Sequence, residues 1–245
     1  MHKPVPAHPA IQVPAADMST LQQTSIIIPF APGDMAWKEL LLDLKKLPEQ
    51  AEIVLVAGSE ASALEAKYVP LPANANIIVS QKGRGHQLNA GARFAKHPCL
   101  WFLHADSRLD EDCLGAIDEF DFTKKRLGYF GLVFQNDGPR RMGINSFGVW
   151  FRSRFLKIPF GDQGFVLSKS CFEMLGTFRE DLNSGEDHAF VWAARNNGVK
   201  LEYLNARIKT SARKYAEHGW GKTTRRHLRE TWQQARQFSK QAKTP

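Results

Sequence analysis

Four short runs of apolar residues restrict the fold of this chain more than any other feature of its sequence. They occupy residues 25–30, 52–59, 76–81 and 99–107 and read SIIIPF, EIVLVAGS, NIIVSQ and CLWFLHADS. Their apolar residues are consecutive rather than alternating, which is typical of strands covered by helices on both faces of a sheet. Segments with helical spacing, such as KELLLDLKKL, lie between them. The pattern predicts an α/β fold with a Rossmann-like, mostly parallel sheet flanked by helices.

We expect a leader and one domain. Residues 1–23 are rich in proline and alanine without hydrophobic periodicity, which predicts a disordered leader. Residues 24–245 are enough to enclose one hydrophobic core. Within this domain we expect a half of the nucleotide-binding type over about 24–110, a second half over about 111–219, and a basic C-terminal helix over about 220–243.

The charge of the chain favours anionic partners. Its formal net charge is +8, which suits nucleotide phosphates, acidic lipids or nucleic acid without choosing among them. No stretch approaches the ~18 to 20 apolar residues of a membrane-spanning helix. The amino terminus lacks the apolar segment of a signal peptide, so we expect a cytoplasmic protein.

One apolar run ends in polar residues, because LWFLHADSRL leads from a buried strand into His104 and Asp106. Open parallel sheets bind ligands at the carboxyl ends of their strands, which is where Asp106 would lie. A carboxylate there could hold Mg²⁺ or Mn²⁺ beside a diphosphate, since these ions prefer oxygen ligands and share them with phosphate. The alternative is that Asp106 only caps the following turn.

Two glycine-containing turns also carry polar side chains. Arg84 lies in a Gly-Arg-Gly turn before a predicted helix, whose free N–H groups could receive an anion, although a plain tight turn has the same pattern. Asp162 and Gln163 lie in FGDQGF between apolar segments, where polar groups have little structural reason to be. The glycines of that segment would account for a turn by themselves.

A pair of acids begins the predicted helix within NSGEDHAFVWAARNNG. Ser184 is the predicted N-cap, and its spacing from Asp187 is that of a capping box, which is worth roughly 0.5 to 1 kcal/mol. In the functional interpretation, one of Glu186 and Asp187 caps the helix and the other faces the cleft as a general base. The spacing alone does not decide between these interpretations.

The order of these segments resembles that of glycosyltransferase family 2. The segments that carry the resemblance are SIIIPF, EIVLVAGS, GRGHQLNAGA, FLHADSRL, PFGDQGFVLS, GEDHAF and TSARKY. The resemblance covers nearly everything after about residue 24, and is particularly close to a small bacterial subgroup labelled arsenosugar-biosynthesis-type, a label that does not establish the substrate. It implies a GT-A fold, a nucleotide-sugar donor, a divalent metal (magnesium or manganese) and inversion at the anomeric carbon.

The resemblance also implies roles for individual residues. Asp106 has the position of the metal ligand, and Asp187, paired with Glu186, that of the catalytic base. The substrate-binding residues that we expect are Arg84, Gln87, Asn89, Asp162, Gln163, Arg213 and Lys214. Among these, Asp162 and Gln163 form the acceptor-side motif, and the cations would surround the diphosphate.

The chain departs from the family pattern in two places. Family members usually carry an aspartate after the second strand, where it contacts the nucleotide base, whereas this chain has Ala57. Other groups would then select the base, or the donor is unusual, or binding is weak. The metal motif offers one acid, Asp106, where many relatives have two.

Two other functions remain open. A sugar-phosphate nucleotidyltransferase would share the sheet, but it would carry a glycine-rich basic loop directly after the first strand, where this chain has APGDMAW. A non-catalytic binder of nucleotide, nucleotide sugar or nucleic acid is favoured by Ala57 and the basic C-terminal segment. Asp106, Glu186 and Asp187 oppose it, and we expect no nucleic-acid partner.

The C-terminal segment is predicted to be an amphipathic helix. Leu228, Trp232, Ala235 and Phe238 share one face of that helix, and arginines lie around the rest. An apolar stripe beside cations is suited to peripheral contact with an anionic membrane, here at its inner face. The alternative, which the shortness of the stripe favours, is packing on the protein's own sheet or on a second subunit of a homodimer.

Overall fold

The computed structural model describes residues 18–241, so residues 1–17 of the predicted leader and residues 242–245 lie outside it. The strands are β1 (Thr24–Phe30), β2 (Glu52–Ala57), β3 (Ala75–Val79), β4 (Cys99–Phe102), β5 (Arg108–Leu109), β6 (Arg126–Phe134), β7 (Phe165–Ser168) and β8 (Lys200–Thr210). The helices are α1 (Trp37–Asp43), α2 (Glu60–Lys67), α3 (Arg84–Phe94), α4 (Asp112–Asp118), α5 (Met142–Arg154), α6 (Lys169–Met174), α7 (Glu186–Asn196), α8 (Arg213–His218) and α9 (Trp220–Gln241). No helix within residues 18–241 is long and apolar enough to cross a membrane.

The strands form one mixed sheet rather than a purely parallel one. Their order is β3-β2-β1-β4-β7-β6-β8-β5. The first four strands in this order are parallel, as predicted, and so is the pair of β6 and β8. Strand β7 runs against both β4 and β6, and β5 runs against β8. The mostly parallel prediction therefore holds for the first half, and β7 changes the direction in the second.

The apolar runs are continuous because helices cover both faces of the sheet. Consecutive residues of a strand point to opposite faces, and accordingly Ile26 and Ile28 belong to one apolar cluster while Ile27 belongs to the other. All three side chains are fully buried. The first cluster includes residues of α1, α2 and α4, and the second includes residues of α3, α6 and α7.

The start of α7 differs from the prediction. Gly185, not Ser184, is the N-cap residue, and its φ of 85° lies in the left-handed region that favours glycine. No side chain caps the helix at that residue, so the predicted capping box of Ser184 and Asp187 is wrong. At the other end, Gly198 follows the helix with a φ of 67°, as its position just beyond the helix predicted.

The strand register brings both halves of the chain to one edge of the sheet. Phe165, which begins β7, pairs with Phe102, which ends β4. The short 3₁₀ turn Gly161–Gln163 precedes β7 and therefore lies beside the loop that follows β4. Strands β6 and β8 end at the same edge, where the N–H of Gln135 donates to the Thr210 carbonyl at 2.9 Å. This edge forms the cleft described next.

Candidate functional site

The Asp106 carboxylate is available for a ligand. It is half-buried in the loop after β4, and it has no hydrogen bond or ion pair with the side chains and backbone described within residues 18–241. The turn there is closed by the backbone, since the Ser107 N–H donates to the His104 carbonyl at 3.1 Å. Nearby Arg108 is held by Asp43 at 2.7 Å and by Glu39 at 3.2 Å. Asp106 thus does not serve as a cap for its own turn.

Asp106 lines a cavity of about 110 Å³ at this edge. Other parts of its wall come from Gln135 after β6 and from Ser211 and Arg213 after β8. The Arg213 Nε atom donates to Ser211 Oγ at 3.1 Å and lies 3.8 Å from an Asp137 oxygen, and these contacts hold the exposed cation beside the wall. The substrate-binding prediction for Lys214 concerns a side chain outside the described set.

The Gly-Arg-Gly turn and the acidic pair meet across the cleft. Arg84 begins α3, and its Nε atom lies 3.6 Å from Glu186 Oε1 at the start of α7. Glu186 is buried, whereas the Arg84 side chain is 48% exposed. Burial raises the pKa of Glu186, and the negative charge of Asp187 raises it further, while Arg84 lowers it. Arg84 therefore keeps an exposed face with which it can contact an anion.

Asp187 connects α7 to the turn before β7. Its Oδ2 atom accepts a hydrogen bond from the Gly161 N–H at 2.7 Å, and its Oδ1 atom accepts one from the His188 N–H at 2.8 Å. A side chain at Gly161 would meet both Asp187 and the Nε2 atom of His104, with 3.1 to 3.2 Å between atoms. Glycine at this position therefore allows the carboxylate and the turn to approach closely.

Asp162 and Arg152 carry opposite charges that interact beside Asp187, and each has a buried polar atom. Burial raises the pKa of Asp162 to about 6, and the Arg152 charge opposes that shift. The Asp162 Oδ1 and Arg152 Nε atoms are both buried without a hydrogen-bond partner within residues 18–241. The negative charges of Asp187 and Asp106 add to the rise in the pKa of Asp162. Asp187 and Asp106 therefore each lie within electrostatic range of Asp162.

Three of the predicted substrate-binding side chains are hydrogen-bonded inside the protein. The Gln87 amide donates to the Phe30 and Val56 carbonyls at 2.9 and 2.8 Å, which joins α3 to the ends of β1 and β2. Asn89 donates to the Phe178 carbonyl at 2.8 Å and accepts from the N–H of that residue at 3.0 Å. Gln163 donates to the Phe130 carbonyl at 2.9 Å. These bonds shape the walls of the cleft.

Sequence reasoning missed Arg152 as a member of the cleft and gave no role to His104, which lies beside Gly161. The Arg152 guanidinium lies 3.4 Å from the centre of the Phe160 ring, and its Nη2 atom is 3.4 Å from Gln163 Oε1. Burial lowers its pKa. The signal was present, because a helical drawing of the segment places Arg152 on the side opposite to the exposed Trp150.

The raised pKa of Asp162 predicts a pH dependence of stability. Its folded pKa of about 6 exceeds the ordinary 3.8, so the native state holds this proton more tightly and stability is lost as pH rises between these values. The side chain at this position in the variant Asp162→Asn carries no such proton, so the variant does not show this loss of stability. We expect the free energy of unfolding of the variant, relative to the wild type, to rise by up to about 3 kcal/mol between pH 4 and pH 7. Denaturant titrations across this range measure it.

Asp181 serves as a control carboxylate, because its pKa is shifted in the opposite direction. Asp181 is exposed and its pKa is lowered, first by a hydrogen bond from Arg179. Asp181→Asn should therefore lose stability relative to the wild type as pH rises. If the difference in free energy of unfolding between Asp162→Asn and the wild type does not change with pH, the pKa of Asp162 is not raised in the folded protein.

The donor set limits how a metal could bind. No group of three or more His, Cys, Asp and Glu residues within residues 18–241 is arranged to hold a metal ion. Asp106 supplies one carboxylate without a partner among the described residues, however, and magnesium is commonly bound by one or two carboxylates together with substrate phosphates. The residues thus fit an ion that is shared with a diphosphate and do not fit one held by the protein alone.

Comparison with solved structures identifies the type of fold. The crystal structure of S. aureus TarS 1–349 matches with a TM-score of 0.58 and 17% identity, over 77% of this chain and 60% of that one. The chain has a glycosyltransferase fold. The TarS complex with UDP-GlcNAc has the same TM-score at 18% identity, over 77% of this chain and 58% of that one. The mannosyltransferase PcManGT from Pyrobaculum calidifontis, in complex with GDP-Man and Mn²⁺, matches at 0.55 with 18% identity, over 76% of this chain and 56% of that one.

This likeness shows the glycosyltransferase fold and nothing finer. The chain spans about 60% of the length of TarS 1–349. No family model and no curated protein matches the chain. Membership of family 2, the arsenosugar-type subgroup and the roles of individual residues therefore stay predictions.

Proposed function

We propose that the chain is an inverting, metal-dependent glycosyltransferase that moves a sugar from a nucleotide-sugar donor to an acceptor hydroxyl. The observation that carries the proposal is the carboxylate of Asp106 in the loop after β4, which has no partner among the described residues. It lies within electrostatic range of Asp162, as Asp187 does. In open sheets this edge is where ligands bind. The glycosyltransferase fold supports the assignment.

Each residue of the cleft has a proposed role. Asp187 accepts the proton of the acceptor hydroxyl, and its hydrogen bond from Gly161 orients it. Arg84 and Arg213 contact the diphosphate, because both present cations at the cleft. A divalent ion shared between Asp106 and phosphate oxygens would stabilise the charge of the leaving diphosphate. Attack from the face opposite to the leaving group inverts the anomeric carbon.

A donor screen tests the proposal. We expect one member of a panel of nucleotide sugars, which includes UDP-GlcNAc and GDP-Man, to be hydrolysed slowly with Mn²⁺ and not with EDTA. Calorimetry with UDP and GDP should show tighter binding with Mn²⁺ than without it, since one carboxylate alone makes a weak site. Absence of binding to every nucleotide in the presence of Mn²⁺ would overturn the proposal.

A non-catalytic nucleotide-binding protein is the second candidate. Two observations favour it. Ala57 at the end of β2 is fully buried and offers no carboxylate to contact the nucleotide base. Both oxygens of Asp187 already accept backbone hydrogen bonds. This candidate predicts Mn²⁺-dependent binding of a nucleotide sugar without hydrolysis or transfer. The screen and the calorimetry together separate the two functions.

A further inference from the structure

Helix α5 and the two residues that follow it present a continuous apolar surface to solvent. Its members are each between 46% and 64% exposed. We call this surface the aromatic face; it consists of Ile144, Phe147, Trp150, Phe151, Phe155 and Leu156. The rings contact one another, with centroid distances of 5.5 Å for Phe147 and Trp150 and 5.2 Å for Phe151 and Phe155. A contiguous patch of this kind marks an interaction site far more often than scattered exposed apolar residues do.

The orientation of α5 is fixed, so the aromatic face cannot turn inward. Met142 and Ser153 are buried on its other side, where the helix packs on β6. The Tyr129 hydroxyl donates to the Ser153 carbonyl at 2.9 Å. Arg152 also points inward, toward Phe160. The rings therefore face solvent as a consequence of the packing.

The charged side chains in the stretch of chain that contains the aromatic face have one sign. Residues 138–161 contain five arginines and lysines and no aspartate or glutamate. Of these cations, Arg140, Arg141, Arg154 and Lys157 are exposed. Aromatic side chains beside cations suit the interface of a membrane that contains anionic lipid, where the rings enter the headgroup region and the cations meet phosphates.

Helix α9 extends the same kind of surface. It begins beside α5, where Trp220 Nε1 donates to Asn145 Oδ1 at 2.7 Å and Asn145 donates to Thr224 Oγ1 at 3.1 Å. Positions four apart share a helix face, so the side that meets α5 at Thr224 continues to Leu228 and Trp232, which are 56% and 66% exposed. Arginines at 225, 229 and 236 are exposed on this helix.

The opposite side of α9 packs on α7. Phe238 is buried, and Gln234 Oε1 lies 3.1 Å from the Nδ1 atom of His188. The Trp192 ring N–H donates to the other nitrogen of His188 at 3.2 Å, so Nδ1 carries the proton and donates to Gln234. Of the predicted apolar stripe, Phe238 thus packs on the protein itself, while Leu228 and Trp232 remain at the surface.

We infer that the aromatic face of α5 docks on a membrane surface that contains anionic lipid, with Leu228 and Trp232 of α9 as a second contact. A second copy of the chain is less suited to this face, because a symmetric dimer would bring the cations of both copies together. The inference rests on the shape and charge of this surface and does not depend on the proposed function.

Vesicle flotation tests the inference at low salt. The wild type should float with vesicles of phosphatidylcholine that contain about 30% phosphatidylglycerol, and it should bind vesicles of phosphatidylcholine alone about tenfold more weakly. The variant Phe151→Gln/Phe155→Gln should bind the anionic vesicles about tenfold more weakly than the wild type. Arg140→Gln/Lys157→Gln should also bind more weakly and should show a smaller salt dependence, because fewer cations meet the lipid phosphates.

A control pair lies at the other end of the sheet. Leu64 and Tyr68 are exposed apolar residues of α2 and its C-cap, next to the edge strand β3. Leu64→Gln/Tyr68→Gln should float like the wild type, and thermal unfolding checks that each variant is folded. Quenching of wild-type tryptophan fluorescence by brominated lipid needs no variant and should accompany binding.

Two results would overturn the inference. One is wild-type protein that stays in the soluble fraction with anionic vesicles at low salt. The other is a lipid-free dimer, seen by light scattering, that Phe151→Gln/Phe155→Gln dissociates, since the aromatic face would then be a subunit interface.

Discussion

Asp106→Ala is expected to abolish the Mn²⁺-dependent part of nucleotide binding while leaving the fold intact. Asp106 has no partner among the described residues, whereas Glu39, which lines the same cavity, is paired with Arg108. A metal held by one carboxylate and phosphate oxygens therefore loses its protein ligand in this variant. We expect affinity for the nucleoside diphosphate in the presence of Mn²⁺ to fall by about 100-fold or more, to the level without metal. Calorimetry with and without Mn²⁺ measures the difference.

The fold should tolerate this substitution because the Asp106 side chain makes no hydrogen bond to the described residues that would be lost. The free energy of unfolding should change by no more than about 0.5 kcal/mol. Glu39→Ala is the matched control, because Glu39 lines the same cavity but is paired with Arg108 at 3.2 Å. Equal Mn²⁺-dependent affinity in Asp106→Ala and wild type would remove the metal assignment.

The first half of the fold was predictable because its strands are apolar on both faces. The consecutive residues Ile26, Ile27 and Ile28 predict such a strand, and β1 to β4 overlap the predicted runs. The direction of β7 was not predictable, because FVLS has the same apolar residues whether it runs parallel or antiparallel to its neighbour. The register decides it, because Cys99 pairs with Ser168 and Phe102 with Phe165, all of them distant in sequence from their partners.

Helix α2 was not predicted, and the reason differs from that for the direction of β7. Its buried residues are Ser62, Ala63 and Ala66, whose small side chains give a weak apolar stripe. The start of α7 was misplaced by one residue because serine is a common cap, whereas Gly185 can adopt the left-handed conformation that this turn requires.

The cleft was predictable in type but not in detail. Sequence order placed Asp106, Arg84 and Glu186 at strand and helix ends, and the structure brings Arg84 and Glu186 together. Whether a buried amide binds a substrate or the protein's own backbone depends on contacts between distant segments. Gln87 illustrates this, because its partners at Phe30 and Val56 lie on two other strands.

Asp187→Asn is expected to lower transfer by about 100-fold or more, because the variant has no carboxylate to accept the acceptor proton. The same substitution should also destabilise the fold, because it removes a hydrogen bond. Both carboxylate oxygens accept backbone hydrogen bonds, from Gly161 and from His188, and asparagine can accept only one of them. The free energy of unfolding should therefore fall by about 1 to 2 kcal/mol. Initial rates of transfer and denaturant titrations measure the two effects separately.

Ser168→Ala separates catalysis from helix support. Ser168 Oγ accepts a hydrogen bond from the Cys171 N–H at 3.2 Å at the start of α6, far along β7 from the cleft edge. Its loss should cost about 1 kcal/mol, similar to the loss in Asp187→Asn, with transfer unchanged. If Asp187→Asn keeps wild-type rates below its unfolding transition, the acid only supports the turn at Gly161. A loss of about 100-fold in Glu186→Gln but not in Asp187→Asn would instead assign the base to the buried Glu186, since removal of a general base is an effect of this size.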